Sequence, residues 1–542
     1  MISVNINDHI WKRLSSNNTN LWFKGHLYSH SLKDLINIFK VIKHNEISDL
    51  MRLIDGNFAL IFQRTDLTFI AVDKIRSTPI FFTVINNKYY IDQKPMNLIN
   101  KQNFQKKINE DAKLELSMSG FTIGNKTIYK DLFTLKAGEA VIFRNNGYKY
   151  IHYHRYFSEI TNDSFDKNIQ TLTNITIKIF NKMLSQIKNR QIIVPLSGGN
   201  DSRLVVSLLK HLNVKNVKCY TYGTPGNYET KVAQLISKKL GYDWIFIPLT
   251  YKSEKKFFQS QDFEKFLDFS ETFCSVPYIQ SLSTIKYLIE KNWIESDAIF
   301  INGGAGDFIS GGHINKDLND NIKVKDFKLR QNNILDQILI KHFSLWGNLK
   351  NTKNISIIKK NLCDEFNKSL ISFGDPSRDH LIFEYSGFVD RQSKYVVNGQ
   401  RIYEYYGYDW RLPLWDQDYL NFWKKLPLDQ KFRQKLYLEM LKYNNFGGVW
   451  RSSIYMNKKT IVPKWVIPLR FIFKIPFGIF GKLGKKAWKQ FDINFFKYFT
   501  SIPHTWEMFN YIRVAKDIFK KPRNSVSWQV LDYLKTFDEK NK

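Results

Sequence analysis

Short apolar runs alternate with amphipathic helical patterns through the middle of the chain. Residues 192–196 form an apolar run of strand length, and after Ser202 the leucines and valines recur at helical spacing. The same alternation predicts strands over 217–222, 244–248 and 298–301 and a helix over 229–240. Short strands that alternate with helices are typical of a parallel sheet with helices on both faces. We therefore expect residues 161–450 to form a doubly wound α/β domain.

The N-terminal region has a different pattern. Apolar and aromatic runs of strand length occupy residues 58–62, 69–72 and 88–91, and Asp, Asn, Gly or Pro bound each run. Their spacing suits antiparallel hairpins. We expect residues 1–160 to form an antiparallel α+β domain, followed after the central domain by a basic, aromatic C-terminal extension over residues 451–542.

The C-terminal extension contains an unusual apolar and basic stretch. Residues 463–483 mix tryptophan, phenylalanine and isoleucine with lysine and arginine. Pro468 and Pro476 are expected to interrupt any long helix, and Arg470 and Lys474 argue against a membrane span. Two interpretations stay open: the segment lies on an anionic membrane surface, or it packs against the α/β domain.

Composition and charge narrow the function classes. The chain has 542 residues, 43% of them hydrophobic, so two or three domain cores are expected. The formal net charge of +31 favours an anionic partner, but no nucleic-acid-binding module is recognisable, so we do not expect nucleic acid to be that partner. Cys219, Cys274 and Cys363 form no C-x-x-C pair, which argues against a disulfide framework or a cysteine zinc site. No secretory signal segment is recognisable, so we expect a cytoplasmic protein, peripheral at the inner membrane face if the extension binds lipid.

The first candidate site is the motif S-G-G-N-D-S at residues 197–202, between a predicted strand and a predicted helix. Glycines let a ligand approach the main chain closely, and the first amides of a helix attract anions. A carboxylate among phosphates requires a bridging cation, so Asp201 is a candidate Mg²⁺ ligand. An ordinary strand-to-helix turn is the alternative. The residues that we expect to bind phosphate are Ser197, Gly198, Gly199 and Ser202.

The second candidate site is the loop N-G-G-A-G-D-F-I-S-G-G-H at residues 302–313. It follows the strand predicted at 298–301, and ligands of parallel sheets bind beyond the carboxyl ends of strands. A flexible surface loop is the alternative. A glycine-dense loop with one carboxylate, Asp307, directly after a strand is a candidate wall of a metal and phosphate site.

Both loops resemble motifs of one superfamily. The S-G-G-x-D-S motif resembles the pyrophosphate-binding loop of the ATP-pyrophosphatase (PP-loop) enzymes, and residues 302–313 resemble the second phosphate loop of asparagine synthetases. Residues 54–59 and 71–82 are similar to the class II glutamine amidotransferase domain of the same proteins. The matches extend over most of residues 50–440 in the family's order, so the chain resembles the asparagine synthetase superfamily. That resemblance implies an adenine nucleotide alpha hydrolase-like α/β domain and an Ntn-like N-terminal domain. It also implies that Asp201 and Asp307 share a Mg²⁺ ion on the pyrophosphate and that Gly303 contacts the bound phosphates.

The resemblance also implies roles for residues after the second loop. Asp409 and Arg411 match an acidic position and an arginine of the family, and Arg411 is expected either to pair with Asp409 or to contact the ligand. The family keeps a lysine that stabilises the adenylation transition state. Lys435 is our match for it, with Lys431 as the second choice. The residues expected to carry catalysis are Asp201, Asp307 and Lys435.

The chain departs from the family at three chemically important positions. The family's glutaminase nucleophile is a cysteine directly after the initiator methionine, whereas this chain begins Met1-Ile2-Ser3. We therefore expect the glutaminase activity to be lost. A glutamate of the second loop is replaced by Gly304, and an acid after Asp307 is replaced by Phe308. These replacements favour an acceptor or a carboxylate other than those of asparagine synthesis.

The sequence therefore predicts an asparagine synthetase-like ligase (EC 6.3) that uses ATP and Mg²⁺. It would adenylate a small-molecule, peptide or sugar carboxylate, release pyrophosphate, and form an amide with ammonia or an amine as AMP leaves. Two alternatives stay open. One is a tRNA-modifying PP-loop enzyme, which the positive charge favours, and the other is a non-catalytic ATP-binding or scaffold protein, which the lost acidic residues favour.

Overall fold

A computed structural model describes residues 2–6, 10–16, 18–144, 147–304, 306–451 and 463–540. Met1 and Ala305, which belong to two of the motifs above, lie outside the described residues. The strands are β1 (Ile2–Val4), β2 (Lys12–Ser16), β3 (Thr19–Leu27), β4 (Gly56–Gln63), β5 (Thr68–Val72), β6 (Phe81–Ile85), β7 (Lys88–Asp92), β8 (Leu132–Thr134), β9 (Glu139–Arg144), β10 (Gly147–His152), β11 (Ile192–Pro195), β12 (Val217–Gly223), β13 (Asp243–Pro248), β14 (Ile299–Ile301) and β15 (Asp409–Arg411).

The helices are α1 (Leu32–Val41), α2 (Ile47–Leu53), α3 (Pro95–Ile99), α4 (Glu110–Ser119), α5 (Phe165–Ile187), α6 (Asn200–His211), α7 (Tyr228–Leu240), α8 (Tyr251–Phe258), α9 (Gln261–Ser270), α10 (Leu282–Glu290), α11 (Gly306–Ile309), α12 (Lys316–Asn321), α13 (Phe327–His342), α14 (Thr352–Lys368), α15 (Asp379–Ser386), α16 (Arg401–Tyr405), α17 (Gln417–Trp423), α18 (Leu428–Lys431), α19 (Lys435–Asn444), α20 (Val466–Gly478), α21 (Gly481–Phe495), α22 (Lys497–Thr500), α23 (Tyr511–Lys516) and α24 (Val526–Lys540). A π-helical segment, Gly387–Val396, follows α15.

Two sheets form the N-terminal region. The first has the order β10-β9-β5-β4-β3-β2 and is antiparallel throughout, and the second has the order β1-β7-β6-β8. Side chains alternate across β4, so Leu60 and Phe62 pack with α1 and α2 while Ala59 and Ile61 face the second sheet. The predicted α+β class is confirmed. One pairing differs from the prediction, because β1 runs parallel to β7.

The third sheet is entirely parallel, with the order β13-β12-β11-β14-β15. This confirms the predicted α/β class. The chain leaves β11 towards β12 and β13, then returns to place β14 on the other side of β11. The strand order therefore reverses at β11, and right-handed crossovers place the connecting helices on opposite faces at this point. Ligands of open α/β sheets bind at such a reversal, beyond the carboxyl ends of the strands.

Buried ion pairs join the N-terminal sheets to the central domain. Lys24 of β3 pairs with Glu404 of α16 at 2.8 Å, and both side chains are less than a tenth exposed. Lys136 lies between Glu139 and Glu365 and is also buried. Removing one partner of such a pair would leave an uncompensated charge in the interior. These pairs therefore fix the two regions against each other.

Two segments outside the sheets are the connection between the first two regions and the helix α20 of the C-terminal extension. Strand β10 ends at His152 and helix α5 begins at Phe165, so the predicted boundary near residue 160 falls in a connecting segment. The expectation that two prolines would interrupt the C-terminal helix is wrong, because α20 includes both of them. Pro468 lies in its first turn, where the missing N–H has no helical partner to lose, and Pro476 lies in its last turn. Among the described helices, none is both long and apolar enough to cross a membrane.

Candidate functional site

A cavity of about 620 Å³ lies at the carboxyl ends of β11 and β14, where the strand order reverses. The two loops that the sequence singled out form one wall of this first cavity. The sequence-predicted residues that line it are Ser197, Gly199, Asp201, Ser202, Gly303 and Asp307. Gly198 is buried behind them and does not line the cavity.

The loop over residues 197–202 folds back on itself. The main-chain N–H of Ser197 donates to the Oγ of Ser202 at 3.0 Å, and the N–H of Gly199 donates to the Oγ of Ser197 at 3.1 Å. Helix α6 begins at Asn200, and the first amides of a helix have no partners within it. The hydroxyl groups and the positive end of the helix thus face the cavity together, as anion binding requires.

The second loop lies directly against the start of α6. The main-chain N–H of Asp307 donates to Oδ2 of Asp201 at 2.8 Å, and the hydroxyl of Tyr437 donates to Oδ1 of Asp201 at 3.1 Å. A Cβ at Gly303 would lie 2.8 Å from the backbone of Asp201, and a Cβ at Gly306 would lie 2.6 Å from its carboxylate. The glycines are therefore what allows the two loops to approach each other.

The two carboxylates differ in their electrostatic environments. Burial raises the pKa of Asp201 to about 7, and the nearby charge of Asp307 adds to this effect. Burial also acts to raise the pKa of Asp307, but the hydrogen bond and charge of His313 outweigh it and hold that pKa below its ordinary value. The Nε2 of His313 lies 3.4 Å from Oδ2 of Asp307, whose side chain is 56% exposed. The exposed carboxylate is thus the more easily ionised of the two.

Residues 186–444 match the family model of asparagine synthase. This segment is an asparagine synthase domain. No curated protein matched the chain.

Solved structures were also compared with the chain. One match is the glutamine phosphoribosylpyrophosphate amidotransferase of B. subtilis, complexed with ADP and GMP, at 9% identity and a TM-score of 0.19, covering 53% of this chain and 62% of that one. Another is a structure described as the allosteric regulatory enzyme of purine biosynthesis, at 10% identity and a TM-score of 0.18, covering 53% of this chain and 55% of that one. The chain thus spans less than two thirds of the length of either.

The carboxylate pair of the asparagine synthase domain fits a hard divalent cation. Each carboxylate oxygen has two lone pairs, so the donors on Asp201 leave room for a metal. Oxygen donors are the ligands that Mg²⁺ prefers. Among the described residues, no group of three or more His, Cys, Asp or Glu side chains is arranged as a metal site. These residues can therefore hold a cation through two protein carboxylates, and phosphate oxygens or water would be the other ligands.

The structure does not bring Lys435 to the other predicted site residues. Its side chain is exposed, and its Nζ lies over the ring of Phe165 on α5, 4.9 Å from the ring centre. The preceding residue, Gln434, lines the cavity instead and donates to the Oγ of Ser310 at 2.7 Å. Lys435 takes this position because α19 begins at that residue, and the first turn of the helix directs the side chain towards α5. Lys431, the second choice, is fully buried and paired with Glu384.

The two replaced acids have structural explanations. Gly304 lines the cavity, and its N–H donates to the side-chain oxygen of Asn302 at 2.7 Å. Phe308 is 1% exposed and packs between Tyr156 and Trp415 in the domain core. The position after Asp307 thus contributes to packing in this chain rather than to the site.

Arg411 is buried and does not line the first cavity. Its guanidinium donates to the carbonyl of Trp410 at 2.8 Å, and Tyr28 of the N-terminal region is a further partner. Asp409 pairs with Arg190 at 2.7 Å. The expected hydrogen-bonded pair between Arg411 and Asp409 is therefore not formed.

A second cavity of about 450 Å³ adjoins the first, and Asp307 and Tyr278 line both. Arg391, in the π-helical segment, places a cationic side chain in the wall of this second cavity. It forms no ion pair with a carboxylate among the described residues. Its charge contributes to the low pKa of Asp307. The C-terminal extension supplies the opposite wall, including Trp506 and Phe509. No sequence motif indicated Arg391 or these aromatic residues, because they come from segments far from both loops.

Replacing Gly303 with alanine is expected to destabilise the fold. The new Cβ would lie 2.8 Å from the backbone of Asp201, so one loop must move. Overpacking of this kind typically costs about 1–3 kcal/mol. The measurement is the urea midpoint followed by tryptophan fluorescence. Gly374→Ala is the matched control because a Cβ there meets nothing within 4 Å, and an unchanged midpoint for Gly303→Ala would contradict the close packing of the loops.

Proposed function

We propose that this chain is a ligase that uses MgATP to adenylate a carboxylate and then converts the adenylate to an amide. Asparagine synthase domains belong to a family of ATP-dependent, amide-forming ligases. The observation that supports the finer assignment is the meeting of Asp201 and Asp307 beside a glycine-lined anion site at the reversal of the sheet.

The proposed reaction has two steps. A carboxylate oxygen of the substrate attacks the α-phosphorus of ATP, and the bond from that phosphorus to the oxygen bridging to the β-phosphate breaks as pyrophosphate leaves. The nitrogen of ammonia or an amine then attacks the acyl carbon and loses a proton as AMP leaves with the former carboxylate oxygen. Pre-oriented donors stabilise the charge that develops in such steps because they need no reorganisation.

The residues of the two loops and their hydrogen-bond partners have distinct roles in the proposed reaction. The hydroxyls of Ser197 and Ser202 and the amides at the start of α6 bind the departing pyrophosphate. Asp201 and Asp307 would hold Mg²⁺, which when bound neutralises phosphate charge as a Lewis acid. Tyr437 orients the carboxylate of Asp201 through its hydroxyl hydrogen bond. His313 keeps Asp307 in its ionised form.

The second cavity is the proposed site of the carboxylate substrate. It meets the first cavity at Asp307, so a carboxylate bound there can reach the α-phosphate. Arg391 is a cation without a carboxylate partner and is suited to bind an anionic group. Tyr395, Trp506 and Phe509 add aromatic surface to the lining of this cavity. The volume of about 450 Å³ suits a small-molecule or sugar carboxylate.

We further propose that the amide nitrogen does not come from glutamine through the N-terminal region. The cysteines of the chain are Cys219, Cys274 and Cys363, so the N-terminal sheets contain no thiol that could attack glutamine. Ser3 lies on the edge strand β1 with an exposed side chain. Ammonia or an amine-bearing substrate is the donor that fits.

Replacing Asp201 with asparagine is expected to lower pyrophosphate–ATP exchange by about 100-fold or more, because a carboxylate that positions charge at the phosphates is lost. Exchange of labelled pyrophosphate into ATP is measured with a panel of carboxylates. Asparagine keeps the shape of the side chain, so the unfolding midpoint should not fall.

Asp243→Asn, at an exposed position that begins β13, is the control and should leave exchange unchanged. If the parent chain fails to bind MgATP by calorimetry, the ligase proposal is wrong and a scaffold role is favoured.

Replacing Arg391 with alanine is expected to raise the KM for the carboxylate at least about tenfold while the Kd for MgATP stays unchanged, because one charge-assisted contact to the substrate is lost. Arg391→Lys should recover part of the effect, since it restores charge but not the planar fork. Arg144→Ala, at an exposed position on β9, is the control. If the Kd for MgATP rose while the KM for the carboxylate did not change, Arg391 would instead contact the nucleotide.

Incubation with glutamine is expected to yield no glutamate above the uncatalysed background, because no thiol is available in the N-terminal sheets. Ammonium salts should support amide formation and glutamine should not. Glutamate is measured by an enzyme-coupled assay. Glutamate release by the parent that disappears in Ser3→Ala would overturn this proposal.

A further inference from the structure

Helices α20 and α21 form a hairpin that is held together by specific contacts. The guanidinium of Arg470 donates to both carboxylate oxygens of Asp492, at 2.8 and 2.9 Å. Phe473 stacks on Phe491 at 5.6 Å, and the ring of Phe477 contacts Trp488 at the same centroid distance. These contacts therefore fix the two helices against each other and form the inner face of the hairpin.

Exposed apolar side chains are concentrated on α20 and at the start of α21. Ten of the 22 exposed large apolar side chains among the described residues fall within residues 465–483. These ten are Trp465, Ile467, Leu469, Phe471, Ile472, Phe473, Ile475, Ile479, Phe480 and Leu483, and they are between 39% and 80% exposed. Single exposed apolar side chains are ordinary, but a concentration of this kind marks a surface that another apolar phase covers.

The charge of the hairpin indicates which apolar phase covers this surface. Residues 464–495 contain seven lysines and arginines and one acidic residue, Asp492, which pairs with Arg470. The basic positions are Lys464, Arg470, Lys474, Lys482, Lys485, Lys486 and Lys489. A second copy of this chain, with a net charge of +31, would be repelled by such a surface. Anionic lipid offers both the apolar phase and the opposite charge.

The dimensions of the hairpin suit the membrane interface rather than its interior. Helix α20 has 13 residues, which corresponds to a length of about 20 Å, whereas a hydrocarbon core is about 30 Å thick. No described helix could span a bilayer. The remaining C-terminal helices anchor the hairpin to the protein, since Tyr498 and Trp528 pack in a core shared with Phe81 and Leu116 of the N-terminal region.

We propose that the hairpin α20–α21 inserts into one leaflet of an anionic membrane and holds the protein at its surface. The aromatic and aliphatic side chains enter the boundary between headgroups and acyl chains, and the lysines contact lipid phosphates. This inference does not depend on the proposed reaction, because it uses no residue of either cavity.

The test is flotation of the full chain with vesicles of phosphatidylcholine alone or mixed with phosphatidylglycerol. Strong binding is expected only to the anionic vesicles, and it should weaken as salt is added. Ile479→Asp with Leu483→Asp should weaken binding at least about tenfold, because two apolar groups are lost from the interface. Val41→Asp with Leu53→Asp is the matched control, since those side chains are similarly exposed on α1 and α2. It should bind like the parent.

Two further measurements separate lipid from other occupants. Lys485→Gln with Lys486→Gln should lower affinity about fivefold for each lysine removed. Brominated phosphatidylcholine in the anionic vesicles should quench fluorescence of the unmodified chain, and Trp465→Phe should reduce that quenching because Trp465 lies on the exposed face.

The proposal is overturned if the parent chain does not float with anionic vesicles at low salt. It is also overturned if the Ile479 and Leu483 double variant floats as well as the parent. A parent chain that dimerises by light scattering without binding vesicles, with dimerisation lost in that double variant, would show that a second copy covers the hairpin.

Discussion

The hydrogen bond from the main chain of Asp307 to the carboxylate of Asp201 is the contact on which the site depends. It joins two loops that lie 106 residues apart in sequence and follow adjacent strands of one parallel sheet. The bond can form only because Gly303 and Gly306 have no side chains to strike α6. The same two positions therefore set how closely the two loops can pack.

This arrangement holds two carboxylates close together in a partly enclosed space. Burial and mutual repulsion raise the pKa of Asp201 to about 7, a strain that a bound cation would relieve. The hydroxyl of Tyr437 orients the carboxylate of Asp201. His313 lies beside the carboxylate of Asp307 and lowers its pKa. Under the proposed function, the ligand of this site would bring both a metal cation and phosphate.

The regions outside the asparagine synthase domain complete this site. The N-terminal sheets are fixed to the domain by buried ion pairs such as Lys24–Glu404, although they contain no thiol. The C-terminal extension supplies Ile502 and Pro503 to the first cavity, and Thr224 donates to the carbonyl of Ile502 at 3.1 Å. These residues follow the hairpin α20–α21 closely in the chain. A hairpin bound to lipid would thus keep the wall of both cavities near the membrane surface.

The sequence by itself determined the order of strands and helices, the α/β class, and the two loops with Asp201 and Asp307. Those features are local, because hydrophobic periodicity and glycine-rich motifs act over a few residues. Only the tertiary structure decided that Lys435 packs on Phe165 while Arg391 and Tyr437 reach the site. The direction of a helical side chain depends on where its helix begins and what packs beside it, and distant segments set both. The prolines of α20 did not end the helix because Pro468 lies in its first turn and Pro476 in its last. The exposure of its apolar face became visible only once the rest of the extension was packed.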